Sequence, residues 1–325
     1  MTRGATVQLP RWATRDLARL DRATSGRQVL VTGATGFIGR WLVAYLRAAG
    51  VSVLPLARRG AGGLRAWRCD LETEPDRLAR RLARRPPAVV FHLAAPEPSA
   101  EGDTVGLVES GLRQTQHLIE GCAGCPRPPR FIQVSSSAVY GPSGGLRLDE
   151  AHPPAPANFH GVGKLLSEAL VTRAQATAGL PVVRVRPFNV VGPGQAATRV
   201  LPRMAEQVVA REAGRSRSAI QTRGLDGVRD FVDVRDTVSA LVAVATRGEN
   251  GGVYNICRGQ GVRVGRLLEQ LVAMAGLPDL EVVPQGDHGV DASVGDPTRL
   301  RALGWRPRYG LRQTVGDVLE EWRRR

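Results

Sequence analysis

Gln28-Val29-Leu30-Val31-Thr32-Gly33-Ala34-Thr35-Gly36-Phe37-Ile38-Gly39 is the stretch that decides the fold. Gln28–Thr32 is an apolar, β-branched run of the kind that forms a buried strand. A glycine turn follows at once, and Arg40–Ala49 carries helical periodicity. Strand, glycine turn and helix in that order are the context a dinucleotide fingerprint requires. Gly33 makes the tight turn, Gly36 lets the backbone approach a pyrophosphate, and Gly39 lets the helix lie against the sheet. The phosphates would rest at the helix N-terminus. Gly33, Thr35, Gly36, Phe37, Ile38 and Gly39 are therefore candidate cofactor contacts.

Working outward, Val51–Leu56 is expected as the second strand. NAD sites place a carboxylate at this strand end, on the ribose 2′-hydroxyl. Here Ala57-Arg58-Arg59 stands instead. Two guanidiniums can hold a phosphate, which favours NADP, with NAD as the alternative. Trp67–Leu71 reads as a short third strand, with Asp70 placed to accept from an adenine amino group and Leu71 beside it. A helix over Leu78–Arg85 and a strand over Ala88–Leu93 lead into Leu93-Ala94-Ala95, further candidate cofactor contacts. A helix over 104–121 precedes a strand over Arg130–Ser135. This alternation predicts an α/β fold with a doubly wound parallel Rossmann sheet. Leu201–Arg211 and Leu267–Ala275 read as structural helices. Residues 1–27 are an extension whose Thr14–Arg22 segment reads as a short helix, expected to pack at a subunit edge.

The 325 residues carry a net charge of +15, with arginines spread along the whole chain. Aromatics make up 5% of the chain, poor provision for base stacking, so anionic small molecules fit better than nucleic acid. No apolar run is long enough to span a membrane. No apolar h-region follows the N-terminus, so no secretory signal is expected. Cys122 and Cys125 lack the second pair that a four-ligand zinc site needs, so no metal is expected. A cytoplasmic protein is the expectation.

Lys164 is the only lysine; every other basic side chain among 45 is arginine. An ammonium is a compact, tunable charge that a guanidinium does not replace where a proton must move. His160 lies four residues earlier, on the same face of a helix.

The chain resembles the extended short-chain dehydrogenases, which act largely on nucleotide sugars. The resemblance rests on Thr32–Gly39 (TGxxGxxG), Phe91–Ala95 (HLAA), Ser135–Gly141 (SSxxVYG), Arg186–Gly194 (RPxNxYGP), Arg229–Asp236 (RDFVxVxD) and Leu303–Pro307 (LGWxP). It implies a Rossmann domain over about residues 28–185. A smaller α/β domain over about 186–325 would hold the nucleotide sugar and return elements to the first. It also implies a homodimer.

In that family a tyrosine begins a YxxxK pair. The tyrosine moves the proton of a sugar hydroxyl, and the lysine lowers its pKa and holds the nicotinamide ribose. A serine or threonine hydrogen-bonds the reacting oxygen. By position these are His160, Lys164 and Ser136, so histidine stands where the family has tyrosine, and Gly163 stands where a serine is usual. Three accounts follow: His160 is the acid/base; another group such as His92 or Glu97 moves the proton; or the redox step is lost and the chain only binds. The Asp-Glu pair of sugar 4,6-dehydratases is replaced by Ser137-Ala138, which disfavours elimination. The resemblance also implies substrate contacts from Glu97, Ser137, Asn189, Arg199 and Arg229, and a cofactor contact from Pro187. Gln285-Gly286-Asp287-His288 stands where the family often supplies another arginine. Reduction of a ketosugar is the leading expectation, and an epimerase with recycled cofactor is the alternative.

Overall fold

The computed structural model describes residues 13–58, 65–96, 104–222, 224–278, 281–284 and 292–325. Strands run β1 Val29–Thr32, β2 Val53–Ala57, β3 Trp67–Arg68, β4 Val89–His92, β5 Arg130–Val134, β6 Arg147–Leu148 and β7 Val182–Pro187. They continue as β8 Asn189–Val191, β9 Ile220–Thr222, β10 Val228–Asp233, β11 Val253–Ile256, β12 Gly261–Arg263, β13 Val282–Pro284 and β14 Ala292–Gly295. Helices are α1 Ala13–Thr24, α2 Phe37–Ala48, α3 Pro75–Arg84, α4 Thr104–Ala123 and α5 Phe159–Ala178. The later ones are α6 Val200–Glu212, α7 Val234–Arg247, α8 Gly265–Ala275, α9 Thr298–Ala302 and α10 Leu311–Arg323.

Seven parallel strands form the central sheet in the order β11-β7-β5-β4-β1-β2-β3. The expected doubly wound order is present: the chain starts at β1, winds outward to β3, then crosses to β4 and continues the other way. All residues of β1 and β4 are buried, because helices cover both faces. Their side chains alternate between two cores. Val29, Val31, Val89 and Phe91 join the α2–α7 core, while Leu30 and Val90 join Leu78, Leu118 and Val171 of α3, α4 and α5. A separate core lies among α6, α8 and α10, with Leu201, Leu267 and Val318 at its centre.

The N-terminal helix packs against the chain's own α7. Leu17 and Leu20 are buried in the α2–α7 core, and Asp16 takes a bidentate ion pair from Arg247. Leu20→Ala is expected to cost about 2–5 kcal/mol, the range for truncating a buried leucine. Urea unfolding checks this as a lowered midpoint at unchanged slope.

Candidate active site

The ends of β1, β4, β5 and β7 meet along one edge of the sheet, which gathers most of the expected site. After β1, Gly33 turns with φ of +63°, and a Cβ there would lie 2.7 Å from Ala94 N. A Cβ on Gly39 would lie 2.1 Å from Gly33 O. Only glycine lets α2 enter this close to the turn and the turn this close to β4. Gly36 caps α2, with Thr35 and Gly36 exposed and Phe37 and Ile38 half-buried. The first N–H groups of α2 point toward this exposed turn, so its backbone donors fit an anion such as a dinucleotide pyrophosphate.

Arg58 is exposed just beyond β2; Arg59 lies outside the described residues. The half-buried Asp70 accepts from Glu72 N at 2.9 Å through Oδ1. Leu71 is buried by its side chain and accepts from His117 Nδ1 at 2.8 Å through its carbonyl. Leu93 and Ala94 are half-buried and Ala95 is exposed. Glu97 and the 285–288 segment fall outside the described residues.

His92 is not available for proton transfer, contrary to its place among the candidate acids. It is 1% exposed, and both ring nitrogens are bonded. Thr115 Oγ1 donates to Gly111 O at 2.8 Å, so it accepts from His92 Nε2 at 3.1 Å. Ala94 N donates to Thr32 Oγ1, whose proton therefore goes to His92 Nδ1 at 2.8 Å. This chain of bonds fixes the neutral Nε2–H tautomer. Burial, helped by the charge of Lys164, pushes the ring down to about 3.

Ser136 follows β5 and caps a 3₁₀ turn over Ser137–Val139, accepting from Ala138 N at 3.2 Å. Ser136 and Ser137 are both half-buried. Helix α5 begins on that turn: a Cβ on Gly161 would meet Ala138 O at 2.4 Å. Asn158 caps the helix by accepting from Gly161 N at 2.9 Å. The close seat brings His160 and Lys164 beside the end of β5. Lys164 Nζ donates to Val134 O at 3.0 Å, two residues before Ser136. Burial lowers its ammonium to about 8, against the opposing charge of Glu168. His160 is exposed. Partial desolvation, together with the charges of Lys164 and Arg199, pushes its imidazole down to about 4.

Pro187 is buried at the end of β7. Asn189, on β8, is half-buried and donates to Asp230 O at 3.3 Å. Arg199 is exposed at the N-cap of α6 and close enough to His160 to act on its titration. Arg229 is half-buried and donates to its own neighbour, Val228 O, at 3.0 Å.

Two features went unread in the sequence. Glu168, one helical turn past Lys164, accepts Arg186 Nε at 2.9 Å and Nη2 at 2.7 Å, with both residues buried. The Arg186 guanidinium also lies 4.8 Å from the Tyr140 ring centroid, and Tyr140 donates to Asn255 Oδ1 at 2.7 Å. The i,i+4 spacing from Lys164 was the one signal for Glu168. Glu168→Ala is expected to cost about 3–5 kcal/mol in urea unfolding, because it leaves a guanidinium buried without its counter-ion. The acids of the Arg229–Asp236 motif are the second feature. Asp230 accepts from Arg258 N at 2.9 Å and Gly259 N at 2.8 Å. Asp233 accepts from Thr314 Oγ1 at 2.7 Å, and Asp236 from Arg308 N at 2.9 Å and Tyr309 N at 3.0 Å. All are buried, and each anchors a different C-terminal segment.

The model of the NAD dependent epimerase/dehydratase family matches residues 29–257. The chain belongs to that family. It is 32% identical to GDP-6-deoxy-D-mannose reductase of Pseudomonas aeruginosa over 310 residues, 92% of this chain and 98% of the relative. It is also 32% identical to dTDP-6-deoxy-L-talose 4-dehydrogenase (NAD(P)(+)) of Kitasatospora kifunensis, covering 91% of this chain and 95% of that protein. The fold superposes on the structure of RMD from Pseudomonas aeruginosa complexed with NADPH with a TM-score of 0.82 at 32% identity, covering 92% and 99% of the two chains. Helix α1 precedes the matched residues.

Proposed function

We propose that this chain is an NADP(H)-dependent oxidoreductase that reduces a keto group on a nucleotide-activated sugar. One observation carries the reading: Lys164 Nζ sits under the end of β5, at the same sheet edge as the Gly33–Gly39 turn. A cofactor lying from that turn across the strand ends would bring its nicotinamide to Ser136, His160 and Lys164. Gly33, Gly36 and Gly39 would seat the pyrophosphate; Asp70 and the Leu71 backbone would face the adenosine. Arg58, exposed past a strand end that carries no acid of its own, would take a 2′-phosphate. The bound nicotinamide supplies hydride. Ser136 hydrogen-bonds the reacting oxygen, His160 exchanges a proton with it, and Lys164 holds the ribose and keeps positive charge beside the imidazole.

The sugar nucleotide lies against residues 186–325, read as mainly the substrate side, with Asn189, Arg199 and Arg229 toward its diphosphate. An anion over Arg199 offsets one of the charges that depress His160, so substrate binding raises the imidazole pKa toward the physiological pH range, where the ring both takes and gives a proton readily. The relatives named for a GDP-sugar reductase and a dTDP-sugar dehydrogenase support this substrate class. Exposed Val105 on α4 and Leu166 on α5, two helices packed side by side, support a homodimer through that face. Free, buried cysteines support the cytoplasm, and among the described residues no helix is long and apolar enough to cross a membrane. The deciding assay mixes the protein, NADPH and a 4-keto sugar nucleotide. Stoichiometric loss of NADPH absorbance supports reduction; product formed with NADPH unconsumed overturns it in favour of epimerisation.

A further inference from the structure

The turn after β8 is gripped from both sides. Trp41 Nε1 donates to Pro193 O at 2.9 Å, and the Arg40 guanidinium donates to Gly194 O. Gly194 N in turn donates to Glu321 Oε2 of α10 at 2.5 Å. Gly194 adopts φ of +86°, and a Cβ there would lie 3.2 Å from Arg40 Cζ, so glycine is what lets the guanidinium press on the turn. Gly192 is packed as closely: a Cβ would meet Val234 Cγ1 at 2.8 Å. Gln195 closes the segment by donating to Val190 O at 2.9 Å.

The location of these bonds gives them meaning. Arg40 and Trp41 directly follow Gly39, in the first two turns of the helix whose N-terminus faces the cofactor site. Residues 192–199 run from β8, which carries Asn189, to the N-cap of α6, which carries Arg199. The segment that bears sugar-side groups is thus tied at its middle to the cofactor-side helix, with α10 as the second jaw.

We propose that Arg40, Trp41 and Glu321 are positioning residues that clasp segment 192–199 to α2, so that filling the cofactor site preorganises the sugar-nucleotide site. The inference rests on the functional reading above. None of the three residues needs to touch substrate. Their effect is to remove freedom from a segment that the sugar nucleotide would otherwise have to order itself.

Amide hydrogen exchange of residues 192–199, with and without NADPH, tests the clasp in the full-length protein. NADPH is expected to slow exchange there about tenfold or more in the wild type, within the usual range of site-to-site coupling. Glu321→Ala abolishes that protection and raises KM for the sugar nucleotide by a similar factor, while NADPH affinity stays within about twofold. Glu321→Gln keeps an acceptor oxygen for Gly194 N and restores most of the effect. Equal NADPH protection in wild type and Glu321→Ala overturns the clasp while leaving the functional reading intact. Failure of the wild type to bind NADPH defeats the functional reading instead. The clasp is then judged in the ligand-free protein, where Glu321→Ala must speed exchange in the first turns of α2; unchanged exchange there overturns it as well.

Discussion

Lys164→Ala is expected to lower kcat/KM for the sugar nucleotide by about 10²–10⁴-fold, the span associated with losing a group from acid–base machinery. The ammonium is the charge at the centre of the site. It is anchored on Val134 O at 3.0 Å, lies one turn from Glu168, and is lowered to about 8 by burial. It is charged at neutral pH yet stripped of much of its water, which strengthens its hold on any neighbouring oxygen. Lys164→Arg is not expected to rescue: the planar, larger guanidinium does not fit a seat shaped around a single Nζ donor. The substitution has a second readout. Lys164 is one of the cations that depress His160, so its removal raises the imidazole from about 4 toward its ordinary value. Histidine NMR titration of wild type and Lys164→Ala reports that shift directly. Turnover within tenfold of wild type, or an unmoved His160 titration, would each count against the role assigned to Lys164.

What was legible in the sequence follows from the range of the interactions involved. The glycine turn is a local device: Gly33, Gly36 and Gly39 act on one another within a single turn, so spacing alone describes them. His160 and Lys164 share a helix face for the same reason. The alternation of buried strands and helices marked a doubly wound parallel sheet, because a parallel sheet covered on both sides leaves continuous apolar strands. His92 shows the limit. Its imidazole is held between Thr32 and Thr115, 60 and 23 residues away, and only the assembled sheet shows that both nitrogens are spoken for. Arg186 was read as part of a motif, but its bidentate partner Glu168 lies on a different element. The acids at 230, 233 and 236 look like a local cluster, yet each serves a segment 28 to 81 residues downstream. The seat of α1 on α7 is of the same long-range kind, since Arg247 lies 231 residues from Asp16.

His160 is expected to give the enzyme a pH profile that a tyrosine would not. An imidazole lowered to about 4 is neutral throughout the physiological range and charged only below that value. In the direction of sugar oxidation the neutral ring is the base. kcat/KM should therefore be level from about pH 5 to 7, fall below as His160 takes up a proton at about 4, and fall above as Lys164 loses its own at about 8. In the direction of reduction the imidazolium is the acid, so kcat/KM should rise as pH drops, by about tenfold per unit while only a small fraction is protonated. Anionic cofactor and substrate beside Arg199 and Lys164 raise the imidazole, which moves the break in kcat upward relative to that in kcat/KM. His160→Ala should cost about 10²–10⁴-fold and erase the acid limb of the oxidation profile. His160→Tyr should erase the same limb while retaining more activity than alanine, because a phenol at this position replaces the proton-handling group by one that stays neutral through the acid range. An acid limb that persists unchanged in both variants would assign the titration to another group and remove His160 from the chemistry. Such a result would leave Ser136 and Lys164 to activate the carbonyl, with solvent as the proton source.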